Sequence, residues 1–115
     1  MATKYDSGFG FEAAITNKIS STGSQFSKGV QIGGLERDFV VQPTTGRSVI
    51  FEAKNWEPSE FNINRAHAQV ELLRKTDKGI DNFVVIPKKP SFGLPDGVIS
   101  IDDIPRVIAN IKGAG

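Results

Sequence analysis

The sequence predicts a single domain of the α/β or α+β class, in which helices pack on a mixed sheet. Apolar residues recur every three or four positions in three segments, which is the period of an amphipathic helix. Segments rich in β-branched and aromatic residues lie between them, and two of these flank a turn sequence. The two kinds of segment are interleaved, as expected for helices layered on a sheet. At 115 residues the chain has the length of one domain, and residues 1–115 are predicted to form it.

The first predicted helix is capped by Asp6 or Ser7 and runs to about Ser20. Its apolar stripe repeats every four residues and consists of Phe11, Ile15 and Ile19. Glu12 lies at the edge of this stripe rather than on the opposite, solvated face. The helix is therefore expected to pack through the stripe, with Glu12 at its border.

Three strands and a turn are predicted next. A short strand covers residues 25–32, and a strand richer in β-branched and aromatic residues covers 35–42. The turn signal of residues 43–46 precedes a returning strand over 48–55. Strands joined by a short turn pair antiparallel, so the second and third strands are predicted to form a hairpin.

A second helix is expected to begin with a cap at Asn62 or Asn64, to run to about residue 78 and to end at Gly79. Its apolar stripe consists of Ala66, Val70 and Leu73. A short, continuously apolar strand is predicted over residues 82–86.

The last third of the chain is predicted to contain a proline-rich loop over 87–97 and a short strand over 98–101. Asp102 is expected to cap a final helix. The buried face of that helix consists of Ile104, Val107, Ile108 and Ile111. This stripe is also predicted to be a surface through which two copies of the chain form a homodimer.

Composition limits the chemistry that the chain can perform. Cysteine is absent, which excludes disulfides and thiolate metal sites and favours hard ions such as magnesium or manganese. The net charge of +1 is not that of a passive nucleic-acid coat. No apolar run approaches the roughly 20 residues that cross a bilayer, and no signal-peptide pattern opens the chain. We expect no membrane partner and a cytoplasmic location.

The segment from Val49 to Lys54 indicates a functional site, because charged residues are unexpected in a buried strand. Side chains alternate along a strand, so Glu52 and Lys54 are predicted to share one face. In the hairpin, Asp38 and Glu52 are equidistant from the turn centre and are expected to lie close together. Two adjacent carboxylates need a cation between them, which a divalent hard ion supplies. The alternative is an exposed cross-strand ion pair on a surface hairpin.

Asp38, thirteen intervening residues and then Glu52-Ala53-Lys54 resemble the PD-(D/E)XK, or restriction-endonuclease-like, nuclease superfamily. The resemblance covers residues 8–86 and implies an αβββαβ core with a mixed sheet flanked by helices. The strings at residues 36–40 and 51–56 are similar to the motif strands of Holliday-junction resolvases. The family's proline before the aspartate is absent, and Arg37 stands in its place.

The resemblance also implies roles for individual residues. It implies a magnesium site, in which manganese can substitute, with ligands from Asp38, Glu52, Glu12 and the Ala53 carbonyl. Lys54 would be the catalytic lysine, and Gln69 the glutamine that many members direct toward the site. Arg37 and Arg65 are candidate phosphate contacts, and Trp56 could stack on a nucleotide. Alternatively, the two arginines are solvated surface charges, and Trp56 closes the edge of the core.

The predicted function is a metal-dependent endonuclease that acts on nucleic acid, with DNA favoured over RNA and with specificity for structure rather than for a long sequence. Three alternatives stay open. One is a toxin-type or RNA-cleaving nuclease on the same fold. Another is a non-catalytic nucleic-acid-binding module. The last is a small structural protein whose hairpin charges form a surface ion pair.

Overall fold

A computed structural model describes residues 8–43, 47–77 and 80–114. Its elements are, in order, α1 Gly8–Ser20, β1 Gln25–Ile32, β2 Leu35–Gln42, β3 Val49–Ala53, α2 Glu60–Thr76, β4 Asp81–Ile86, β5 Val98–Ser100, a 3₁₀ turn Ile101–Asp103 and α3 Ile104–Ala114. The predicted order is confirmed, and β1 and β2 have the predicted bounds. Asp6, Ser7, most of the turn and Gly79 lie outside the described residues.

The five strands form one mixed sheet in the order β1-β2-β3-β4-β5. β1, β2 and β3 pair antiparallel, while β3, β4 and β5 pair parallel. The chain therefore has an α/β architecture with helices on a mixed sheet, as predicted. No helix among the described residues is long and apolar enough to span a bilayer.

α1 and α3 cover one face of the sheet and enclose the larger core cluster. Both predicted stripes are buried there, against inward residues of four strands that include Phe39, Phe51 and Val85. The α3 stripe was also the reason for expecting a homodimer. Each of its four residues is at most 7% exposed within one copy of the chain. The stripe is therefore not available as a surface for a second copy.

α2 covers the opposite face. Its buried residues pack against alternate positions of β4 and against β5, and the cluster consists of Ile63, Ala66, Val70, Val84, Ile86 and Val98. Val84 and Val85 belong to different clusters, as the alternation of a strand requires. The predicted α2 stripe is confirmed, because Ala66, Val70 and Leu73 are all buried, and Ile63 is buried as well.

The predicted caps of α2 and α3 were wrong. Ser59 caps α2, because its hydroxyl accepts the backbone N–H of Asn62 at 3.1 Å. Asn62 and Asn64 lie inside the helix. Asp102 is not the cap that precedes α3, because a 3₁₀ turn begins after Ser100. The Asp103 carboxylate accepts hydrogen bonds from the backbone N–H and the hydroxyl of Ser100, both at 3.2 Å.

Candidate active site

The β2–β3 register places Asp38 beside Glu52, as predicted. Phe39 pairs with Phe51 and Val41 with Val49, so the next pair along the ladder is that of the two acidic residues. Asp38 Oδ2 accepts the backbone N–H of Ala53 at 2.8 Å. The backbone N–H of Asp38 in turn donates to the Glu52 carboxyl. Two reciprocal contacts therefore hold both carboxyl groups at the same end of neighbouring strands.

Glu52 lies on the α2 face of the sheet. It pairs in register with Val84, which belongs to the α2 core cluster, whereas Phe51 packs in the α1–α3 cluster. Its side chain is only 6% exposed, and Oε1 is buried with no hydrogen-bond partner among the described residues. The fold thus encloses a carboxyl group whose hydrogen-bonding capacity it does not fill.

Burial is the main reason that the pKa of Glu52 rises from 4.5 to about 7, and the negative charge of Asp38 raises it further. The positive charges of Arg37 and Lys54 act in the opposite direction. Such a shift on a carboxyl beside a second carboxyl is typical of functional sites. A pKa of about 7 means that Glu52 gains or loses its proton near neutral pH.

Arg37 is placed differently from the expectation that it contacts phosphates. Its side chain is 1% exposed, and its guanidinium donates to both oxygens of Asp77 at 2.9 and 2.7 Å. The hydrogen bond to Asp77 raises the pKa of Arg37 further. A buried guanidinium held on two sides cannot reach a substrate, so Arg37 acts inside the fold. Asp77 caps the end of α2 and was not singled out from the sequence.

Gln69 and Glu52 are brought to one cavity by the fold. Both residues line a cavity of about 210 Å³ between α2 and the start of β2. Gln69 is half-buried on the helix. Gln69 thus borders the same cavity as Glu52.

Glu12 is not brought into the site. Its carboxylate lies 3.6 Å from the ammonium group of Lys28, a residue of β1. Residues 8–43, 47–77 and 80–114 contain no group of three or more acidic, histidine or cysteine side chains that could hold a metal ion. The carboxylates of the candidate site are therefore those of Asp38 and Glu52 alone.

Lys54, Trp56 and Arg65 come together at the end of β3. The ammonium of Lys54 lies 5.5 Å from the centre of the Trp56 ring, and the guanidinium carbon of Arg65 lies 4.1 Å from it. Arg65 is also 5.5 Å from the ring of Phe61, which is 71% exposed. Phe61 was missed in the sequence because a lone aromatic in the first turn of a helix gives no signal of its neighbours.

A second cavity of about 480 Å³ lies between β5 and α3, and neither Asp38 nor Glu52 lines it. Its charged groups neutralise one another, since the ammonium of Lys89 and the guanidinium of Arg106 lie 3.0 and 3.3 Å from Asp103. Burial opposes ionisation of Asp103, but its hydrogen bonds with Lys89, Ser100 and Arg106 outweigh burial and lower the pKa. This cavity therefore offers no unsatisfied reactive group, and we place the candidate site at Asp38 and Glu52.

Comparisons with protein-family models, with curated proteins and with solved structures found no match to this chain.

Proposed function

We propose that the chain is a metal-dependent endonuclease of the restriction-endonuclease-like class, which hydrolyses phosphodiester bonds of nucleic acid, with DNA favoured. The observation that carries this proposal is the pairing of Asp38 with the buried Glu52, next to Lys54. An exposed cross-strand ion pair is not consistent with Glu52, because this residue is only 6% exposed. The order of helices and strands is compatible with the αβββαβ core that the motif implies.

The residues at the site fit a hard divalent cation. The two carboxylates lie together without a third, and one buried oxygen of Glu52 has no partner in the described part of the chain. Magnesium is often held by one or two carboxylates and keeps several waters, so the carbonyl of Ala53 and solvent could complete its shell. When bound, such an ion supplies charge stabilisation for the phosphate and a more acidic water.

Each neighbouring side chain has a distinct task in this proposal. Asp38 and Glu52 hold the negative charge that attracts the cation. Lys54 presents an ammonium group beside Glu52, and this ammonium orients the attacking water or contacts the phosphate as a point charge. Gln69 offers an amide that can donate to the phosphate or the water from the wall of the cavity. The pair of Arg37 and Asp77 positions the end of α2 against β2 rather than contacting substrate.

The test compares the wild-type protein with Lys54→Met and with Lys75→Met as a matched control, because Lys75 is an exposed lysine on α2. Branched, duplex and single-stranded DNA and structured RNA are incubated with each protein in magnesium, manganese or EDTA. We expect cleavage that requires metal, that Lys54→Met loses by at least ~100-fold and that Lys75→Met retains. Absence of cleavage of every substrate by the wild-type protein, with magnesium or manganese present, would overturn the proposal.

A further inference from the structure

Two aromatic rings and two cations form one cluster at the edge of the candidate site. Phe61 and Arg65 are one turn apart on α2, and Trp56 lies in the loop that precedes the helix. The guanidinium of Arg65 lies over both rings, and the ammonium of Lys54 lies over Trp56. We call Lys54, Trp56, Phe61 and Arg65 the aromatic–cation stack.

The stack is held in place before any ligand arrives. Arg65 donates to the side-chain oxygen of Asn62 at 3.3 Å, and the amide nitrogen of Asn62 donates to the Glu57 carbonyl at 3.1 Å. Trp56 packs against the α2 core cluster, which fixes its ring. A surface whose side chains are already ordered loses less entropy on binding.

The two cations of the stack keep their charge available. Most lysines and arginines in the described part of the chain pair with a carboxylate within 4 Å, as Arg47 does with Asp81 and Arg74 with Asp96. Neither Lys54 nor Arg65 has such a partner among the described residues. The exposed Phe61, beside the guanidinium of Arg65, presents a flat apolar face to an anionic ligand, which is the chemistry of a nucleotide in a single strand.

We propose that the aromatic–cation stack binds an unpaired base of the strand that the enzyme cuts. A base can stack on Phe61 only when its face is free, and base pairs within a duplex already stack on both faces. Lys54 belongs to the stack and also lies beside Glu52, so the bound base would be close to the reacting phosphate. This inference rests on the proposed nuclease function, and it assigns the substrate class: nucleic acid with unpaired nucleotides at the cut.

Binding in EDTA tests the inference without any cleavage. The probes are fluorescein-labelled oligothymidine and a blunt duplex of equal length, measured by fluorescence anisotropy. Phe61→Ala should weaken binding of the single strand by about 10-fold and leave duplex binding unchanged within about 2-fold. Phe92→Ala is the matched control, since Phe92 is also exposed but lies in the loop before β5, and it should change neither affinity.

Trp56 provides a second readout because it is the only tryptophan of the chain. Oligothymidine should quench its fluorescence in the wild-type protein, and Arg65→Ala should reduce both the quenching and the single-strand affinity. Equal losses on single strand and duplex, or no loss in Phe61→Ala, would overturn the inference even if the wild-type protein cleaves DNA. Selective loss without metal-dependent cleavage by the wild type would support the base-binding surface and overturn the nuclease instead.

Discussion

The Glu52→Gln substitution removes the ionisable group at the centre of the proposed site, and its effect on stability should depend on pH. Folding raises the pKa of Glu52 from 4.5 to about 7, first because the side chain is buried and second because Asp38 lies beside it. A carboxyl with a raised pKa binds a proton more tightly in the folded chain than in the unfolded chain. Its contribution to stability is therefore complete below about pH 4.5 and is lost as the pH rises through about 7.

The size of this loss follows from the shift in pKa. One pKa unit corresponds to ~1.4 kcal/mol, so the full rise corresponds to ~3 kcal/mol of folding free energy. Residual solvent contact reduces what is measured, and we expect about 2 kcal/mol. Glutamine does not ionise, so the variant should become more stable relative to wild type by this amount between about pH 5 and about pH 9.

Urea unfolding in EDTA, followed at several pH values, measures the free energy of unfolding of both proteins. The glutamine amide adds a cost for its own burial, but that cost is the same at every pH and leaves the trend intact. Glu57→Gln is the control, because Glu57 is exposed, and its curve should run parallel to that of wild type. A constant difference between Glu52→Gln and wild type across this pH range would refute the reasoning.

Three further predictions test the binding of magnesium and the contributions of two residues to stability. Magnesium should raise the midpoint of thermal unfolding of the wild-type protein at pH ~8 but not that of Asp38→Asn; equal shifts would place the ion elsewhere. Asp77→Asn should lower the free energy of unfolding by roughly 3–5 kcal/mol, because it removes the carboxylate that binds the buried guanidinium of Arg37; a loss below ~1 kcal/mol would contradict this. Gly97→Ala should lower the free energy of unfolding by at least ~2 kcal/mol, because φ at this position is +88° and the new Cβ would clash with Val70 of α2. Gly93→Ala should leave the free energy of unfolding nearly unchanged, because its new Cβ would meet no atom of the described residues within 4 Å.

The sequence predicted those parts of the molecule that depend on local periodicity. Residue composition and turn residues predicted the bounds of β1 and β2, and the symmetry of the hairpin about its turn predicted that Asp38 lies beside Glu52. These features depend on neighbours along the chain or on one short turn. The same is true of the apolar stripes, whose residues are buried as expected.

Contacts between distant segments could not be predicted in the same way. A stripe shows that one face of a helix is buried but not what covers it, so α3 could be assigned to a dimer although it packs on α1. Forty residues separate Arg37 from Asp77, and no local pattern links them. Glu12 likewise pairs with Lys28 because of how α1 lies on the sheet. Helix stripes leave that arrangement undetermined.

The buried carboxyl groups have two different kinds of surroundings, and this difference supports the assignment of the site. Asp77 is bound by both arms of a guanidinium, and Asp103 is bound by two cations and by Ser100. Glu52 has a second carboxyl as its neighbour, and no described group donates to Oε1. Because the same chain provides cations for two other buried acids, the arrangement at Glu52 is not a general property of its core. Under the proposed function, this pair of carboxyl groups takes up a proton at low pH and binds a divalent cation from solution at higher pH.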